Sequence, residues 1–503
     1  MKLKERIAGA MRSWMFGDVF ERAYAAAATG RLTNDWMAGA SSEDTELMTS
    51  LPLMRDRSRQ MIRDNPHAAN LQRIIEDNVV GTGIGMQCQI KNADGTLNQA
   101  LNDQIEAAWA EWSEAETCHT AGQLSLTDLL RLAMGGVFAD GEALIRIVPQ
   151  AFGGGKIPFA LEMIEPDLLY ENGQGTSRTT QGATVRLGVE VDEWLRPQAY
   201  WMRSSHPGDV TALSALSAAQ AKRIPASDML HLYVVKRWPQ TRGVPWMHMA
   251  LMRMRDMSRY TEAELVAARA AACIVGFVQQ DLGTAPGASY DSKQKAPTYV
   301  KSEPGVFQRL LPGETFSGFS PSRPNANLST FMCYMLREVA AGVGVSYEAL
   351  SRDYSQSNYS SSRLALLNER DLWRTLQHWL IRNYLVKIYR RWLDAAVISG
   401  AVKLPSDYYT NKKPYQEVRF KPRGWSWVDP AKEVRAYADA VKNGFMSRSD
   451  VISAIGNGQD REDVDKAIQS DREEAAKLGL NFEHVKTDDP PMEKDDEDKK
   501  ADA

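Results

Sequence analysis

From Ser346 to Arg363 the chain reads SYEALSRDYSQSNYSSSR, a run of hydroxyl and amide side chains set between two strongly apolar periodic segments. Before it, Phe331, Met335, Val339 and Val343 recur at helical spacing beside Met332, Leu336 and Ala340, and the pattern stops at Gly342 and Gly344. After it, Leu364, Leu367, Trp373, Leu376, Leu380, Tyr384, Ile388 and Trp392 form a long periodic segment for which Ser360 to Ser362 offer N-caps. The spacing predicts a helix, an exposed hydroxyl-rich loop and a second helix. Any fold available to this chain must hold a non-adhesive loop at the junction of two helices that bury one face.

At 503 residues the chain is too long for one compact core, and an apolar content of 43% supplies two or more domains. It contains no run of about 18 apolar residues, and the basic start (Lys2, Lys4, Arg6) is broken by Arg12, Asp18 and Glu21 before a signal-peptide core forms. These features predict a soluble protein with neither membrane insertion nor secretion. Cys88, Cys118, Cys273 and Cys333 are scattered with no CxxC pair, so they are expected as buried thiols rather than zinc ligands. The formal charge is −4, from 60 basic and 64 acidic residues, which leaves no global basic field to grip nucleic acid.

Along the chain, residues 1–50 combine an amphipathic pattern (Leu3, Ile7, Met11, Trp14, Met15) with an Ala-rich stretch, either an arm that packs on a neighbour or a surface helix. A charged helix pair is expected from Arg55 to Val80 around Asn65-Pro66, followed by a turn at GTGIG, residues 81–85. That turn lacks the spacing and the preceding strand of a dinucleotide fingerprint. Between 100 and 235 helix and strand signals alternate: a helix through Ile105, Ala108, Trp109 and Trp112, a strand at 143–148 after the ADGE turn, and strand-like runs at 157–164, 184–191 and 229–235. An α+β domain fits them. After the turn TRGVP (241–245), residues 244–272 read as a Met-rich then Ala-rich helix spanning roughly 43 Å. It is either crowded against other helices or an ordinary core helix. A β-leaning insert occupies 273–328, WSWVDP at 425–430 ends in a helix start at Asp429-Pro430, and short amphipathic helices follow from Ala431 to Leu480. Lys486 to Ala503 carry eight acidic and four basic side chains and are expected to be disordered.

Enzymatic constellations are missing. Gly155-Lys156 is followed by Ile157, so no phosphate-binding GxxxxGK[ST] loop exists, and neither HExxH nor GxSxG occurs. Asp140, Glu142, Glu162, Glu165 and Asp167 have the oxygen chemistry of a hard-cation site, but Glu142 and Glu162 alternate with apolar neighbours as solvent-facing strand residues do. His231, in DMLHLYVV, is expected as a buried, hydrogen-bonded structural histidine.

The succession RDRSRQMIRDNPHAANLQRIIEDNVVGTGIG, ADGEALIRI, IPASDMLHLY, TRGVPW, LPGE, REVAAGVGVSYEALSRDYSQSNYSSSR and WVDPAKEVRAYADAVKNG resembles, in order and spacing over roughly residues 50 to 480, the lambda-type family of tailed-bacteriophage portal proteins. The resemblance implies a ring of about twelve subunits at one capsid vertex, a channel for DNA packaging and ejection and a docking site for other components. It implies an α+β portal fold: N-terminal arm 1–50, wing 51–243, stem helices 244–272 and 329–345 enclosing a β-rich clip 273–328, channel loop 346–362, wing spine and connector 363–430, helical crown 431–485 and acidic tail 486–503. Asp353, Tyr354, Ser355, Gln356, Ser357, Asn358, Tyr359 and Ser360 would then face passing double-stranded DNA without sequence specificity. Met247, Leu251, Met254, Met257, Phe331, Met335 and Leu336 would form the subunit interface of the stem. Implied partners are further copies of the chain, the terminase large subunit, the major capsid protein or scaffold and a head-tail connector, with no cofactor, metal or membrane. The implied location is the virion, after assembly in the host cytoplasm. The residue chemistry agrees: DNA must slide, and 353–362 contains no lysine or arginine to neutralise phosphate. An ordinary exposed loop capping the long helix is the other reading. Twelve copies would sum to about −48, a field that discourages sticking to phosphate. A terminase-type packaging enzyme, which needs a phosphate-cradling loop, and another ring-forming neck or capsid protein are the competing classes.

Overall fold

The computed structural model describes residues 39–170, 177–178, 184–209, 221–273, 276–280, 314–318, 327–425, 430–455 and 461–479. Residues 1–38 of the expected N-terminal arm, most of the 273–328 insert and the acidic tail therefore lie outside the described residues, while residues 43–50 of that arm belong to the first helix.

The expected helix pair is α1 (Glu43–Asp64) and α2 (Pro66–Val79). Asn65 separates them because the residue before a proline avoids the helical region, and its side chain accepts from the amides of His67 and Ala68, starting α2 with Pro66 in its first turn. The glycines of GTGIG make the turn as expected, Gly81 and Gly83 adopting positive φ before strand β1 (Gly85–Cys88). Helix α3 (Gln99–Trp112) buries Ile105, Trp109 and Trp112, and α4 (Leu126–Ala139), opened by a Ser125/Asp128 capping box, is apolar along its length.

Strand β2 (Glu142–Val148) is the centre of the fold. It pairs antiparallel with β3 (Ala160–Ile164) on one side. A separate antiparallel meander contains β4 (Ser177–Arg178), β5 (Thr184–Arg186), β6 (Val189–Val191), β7 (Pro197–Met202) and β8 (Lys222–Pro225), in that spatial order. The run 184–191 is thus two strands, reversed at Leu187-Gly188, both with positive φ. Strand β9 (Met229–Tyr233) returns to pair with the other edge of β2. Alternation along β2 splits the core: Ala143, Ile145 and Ile147 face the helices, while Leu144 packs with Ile164, Val189 and Tyr200 of the meander layer.

After a 3-10 turn at Trp246–Met249 comes α5 (Leu251–Cys273), then β10 (Gly276–Gln280) paired antiparallel with β11 (Glu314–Gly318). These two strands are the described part of the β-leaning insert. Helix α6 (Leu328–Val343) stops at Gly344 in the left-handed region, and the short α7 (Tyr347–Ser351) follows. The long helix is α8 (Tyr359–Leu380), a π-helical turn Ile381–Leu385 and α9 (Val386–Ile398) in unbroken succession. Trp109 of α3 meets Trp392 of α9 edge-on at 4.9 Å, with Tyr389 and Phe420 completing an aromatic cluster. Phe420 belongs to β12 (Val418–Lys421), which pairs with β1. Three short helices, α10 (Pro430–Lys442), α11 (Arg448–Ile455) and α12 (Arg461–Leu478), follow as the amphipathic pattern predicted.

Three expectations need correction. Cys88 and Cys118 are buried, but Cys333 is only half-buried, its Sγ 3.2 Å from the Tyr347 hydroxyl; the Cys273 side chain lies outside the described residues. Glu142 is not a solvent-facing strand residue: it is fully buried, and Glu162 is half-buried beside Arg146 at 3.3 Å. Six of the seven residues expected at a subunit interface, Met247, Leu251, Met254, Met257, Met335 and Leu336, are buried within the chain's own core, leaving Phe331 exposed. The physical reason is that α5 and α6 cover each other and α1, tied by Asn65 to Ser258 at 3.1 Å and by Arg253 to Glu338 at 3.4 Å.

Candidate functional site

The hydroxyl-rich stretch is built from its ends inward. Ser346 caps α7 by accepting from the Ala349 amide at 3.2 Å, and its own amide donates to Glu369 of α8. The far end of α7 is held by Asn70 of α2, a buried side chain whose amide donates to the carbonyls of Ala349 and Leu350 at 2.9 and 3.0 Å. These carbonyls are orphan acceptors of a helix terminus, which is why a buried donor belongs there. Arg352, in the left-handed region, sends its guanidinium to the Asn70 carbonyl oxygen at 3.1 and 3.3 Å.

Asp353 then makes a turn of its own: its carboxylate accepts from the Ser355 amide at 3.0 Å and from the Tyr347 hydroxyl at 3.0 Å. Those bonds, that from Ser355 foremost, hold its carboxyl below the usual range. Tyr354 is 56% exposed, and its carbonyl accepts from the Ser357 amide and hydroxyl. Asn358 closes the segment with a capping box, accepting from the Ser361 amide at 2.8 Å and donating to the Ser361 hydroxyl at 3.3 Å. Ser355 and Gln356 project at the tip. Tyr359 and Ser360, expected in the loop, are the first residues of α8, and residues 347–351 are helical, so the irregular segment is 352–358.

The result is a short turn stapled at both ends, with hydroxyls and amides at its tip. Both flanking cations are engaged by the protein: Arg352 by Asn70, and Arg363 by Glu433 of α10 at 3.9 Å. Such a surface offers weak, exchangeable hydrogen bonds at an uncharged tip; Arg363 is paired with a carboxylate, while Arg352, bonded to a neutral amide, keeps its charge at the N-terminal edge of the turn.

The acidic residues considered for a cation are satisfied by arginine. Asp140 accepts from Arg59 at 2.6 and 3.0 Å, Asp167 from Arg55 at 3.1 Å, and Glu165 lies 3.1 Å from Arg59. Glu165 and Asp167 converge with His206, but Arg59 already bridges the two carboxylates. Glu142 accepts from Arg242 Nε at 2.9 Å, His231 at 2.8 Å and the Gly243 amide at 3.0 Å. Burial alone would push its carboxyl up, but Arg242 and His231 together hold it well below the usual range. His231 is the buried, hydrogen-bonded residue expected, kept neutral mainly by burial. Arg55 and Arg242 were not anticipated as partners of Glu142; they lie in RDRSRQ, within α1, and in TRGVPW, just before the 3-10 turn at Trp246.

Comparison with known proteins places the chain among structural proteins of phage particles. A family profile described as "Phage portal protein, lambda family" matches residues 29–377. A "Probable portal protein" of Halomonas phage phiHAP-1 is 30% identical over 472 residues, covering 91% of this chain and 88% of that protein. "Portal protein B" of Escherichia phage lambda is 21% identical over 462 residues, covering 83% of each. Among solved structures, the neck of an empty gene transfer agent particle aligns with TM-score 0.47 at 15% identity, over 85% of this chain and 99% of the other. The neck of the native particle aligns with TM-score 0.43 at 13% identity, over 82% and 94%. The chain belongs to the lambda family of phage portal proteins. Its named relatives are portal proteins of phages, a structural rather than enzymatic family, and membership decides against the terminase-type alternative.

Proposed function

We propose that about twelve copies close into a ring in which residues 353–358 face the channel and contact passing double-stranded DNA. The observation that supports this reading is the uncharged tip, Tyr354 to Asn358, with hydroxyls and amides outward, flanked by Asp353 and by Arg352, which bonds Asn70, while Arg363 pairs with Glu433. Residues 51–243 act as the wing, 244–272 and 329–345 as the stem, 273–328 as the clip, 363–430 as spine and connector and 431–485 as the crown. The clip docks the terminase large subunit during packaging and the head-tail connector afterwards, while the ring sits in a shell of major capsid protein or scaffold, assembled in the host cytoplasm. The stem contact between copies involves Phe331 and the exposed faces of α5 and α6, because the other six residues expected there are already covered.

Changing Ser355 and Gln356, the two residues at the tip, to Lys adds about twenty-four positive charges to one narrow zone, each able to displace counterions from phosphate, and leaves the Asn358 cap of α8 in place. Rings are expected to form normally, since the tip lies outside the helical core, while DNA translocation in a packaging assay stalls and raised salt relieves the stall. Packaging at the unmodified rate in low salt, with intact rings, would remove residues 353–358 from the channel.

A further inference from the structure

A groove of about 510 Å³ runs between α1 and α5, remote in sequence from the candidate channel loop. Its walls carry Arg57, Arg255 and Arg259, and its floor is apolar, with half-buried Met61, buried Leu251 and Met252 at 53% exposure. Among the described residues these three guanidiniums have no carboxylate within ion-pair distance, unlike Arg253 of the same helix, which pairs with Glu338. The same lining holds two carboxylates, Asp64, which lies 3.7 Å from Arg63, and the exposed Glu262, so the guanidiniums of the groove outnumber its acids by one. Three unpaired cations around an apolar floor fit an acidic, extended peptide that carries an apolar anchor.

We propose that the occupant is the chain's own C-terminal segment, residues 480–503, from the same or an adjacent copy in the ring. Charge selects it. Residues 1–38 carry six basic and four acidic side chains and residues 281–313 carry four and three, whereas 480–503 carry nine acidic and four basic ones. Its sequence DDPPMEKDDED places two prolines and Met492 between carboxylates, which disfavours a helix and supplies the anchor for Met61 and Met252. The described chain ends at Gly479, and 24 further residues reach at most about 80 Å, enough to cross to a neighbouring copy. Filling the groove would tie one end of the chain to the α1–α5 pair and neutralise a basic strip.

The test uses the full-length protein with the photoreactive residue p-benzoylphenylalanine in place of Met492, irradiated and digested for peptide mapping. Cross-links are expected to residues 57–65 and 251–262, with yield falling about tenfold in Arg255→Glu/Arg259→Glu and held in Arg255→Lys/Arg259→Lys. Mixing isotopically light and heavy protein before assembly tells same-copy from adjacent-copy linkage. Cross-links mapping elsewhere, no cross-links, or a yield indifferent to the charge reversal would each overturn the assignment. Ring formation, followed by native mass measurement, is read separately, so this proposal can fail while the channel reading stands.

Discussion

Glu142 sits at the start of a central strand with no solvent to share its charge, an arrangement that costs several kcal/mol unless every oxygen is satisfied. Arg242, Arg55, His231 and the Gly243 amide satisfy it. Gly243 and Gly141 are glycines for the same reason: a side-chain carbon at Gly243 would lie 2.0 Å from the Gly141 carbonyl oxygen, so the two turns can close on Glu142 only with both side chains absent. Replacing Glu142 with Ala leaves Arg242 uncompensated and is expected to destabilise the fold by about 3–5 kcal/mol, seen as a lowered unfolding temperature. The pH dependence has a defined sign. Because the Glu142 carboxyl is depressed in the fold, its contribution is present above its ordinary value of 4.5 and is lost as pH falls below it. His231 is also depressed, so its neutral form favours folding, and that contribution declines as pH falls below its ordinary 6.5. Unfolding temperature should therefore drop in acid, and Glu142→Gln should flatten the lower part of the drop. A wild-type profile flat from pH 7 to about pH 3 would contradict this, the His231 share being lost below 6.5 and the Glu142 share only below 4.5.

At the scale of elements, α7 is anchored by buried Leu350, and the turn after it is a polar segment made rigid by hydrogen bonds. Asn70 joins α2 to the carbonyls of Ala349 and Leu350 in the last turn of α7 and to Arg352. Asn70→Ala removes these bonds and strands buried carbonyls, with an expected cost of about 1–3 kcal/mol and faster amide exchange confined to 349–356. Unchanged exchange there would mean that the capping of α8 by Asn358 suffices. On the other side of the molecule, Trp392 locks α9 to α3, and Trp392→Ala is expected to cost about 3–5 kcal/mol, measured by chemical denaturation.

For the whole molecule, the arrangement of α5 and α6 separates folding from assembly. Met254 and Leu336 lie inside the chain's own core, so an Asp at either position is expected to lower the yield of folded chain rather than release folded monomers. Tyr334 and Leu265 are exposed on the same two helices, and Tyr334→Asp with Leu265→Asp is expected to leave the circular dichroism spectrum intact while native mass measurement shows loss of the ring. Full rings from that double variant would move the contact to another face. Deleting 283–297 is expected to permit rings yet impair packaging or joining to the connector, and unaltered infectivity would count against the clip as docking site.

The sequence by itself determined what repeats at short range. Helical periodicity located α6 and the long helix, the Pro66 and Gly344 punctuation set helix ends within a residue or two, and the Ser/Asn/Tyr composition marked 346–362 as a polar loop, of which only 352–358 is irregular because both ends coil into helices. Seven weak motifs in order were enough to indicate the family, since joint order is far more specific than any one of them. Only the tertiary structure decided which apolar faces meet and which charges are buried. Period-2 alternation put Glu142 among solvent-facing residues, yet a second sheet layer covers that side of β2, and the carboxylate is held by arginines about 90 and 100 residues away. Apolar stripes on α5 and α6 read identically whether they face a neighbouring copy or the same chain. What distinguishes the two is long-range packing against α1, which a one-dimensional pattern does not record.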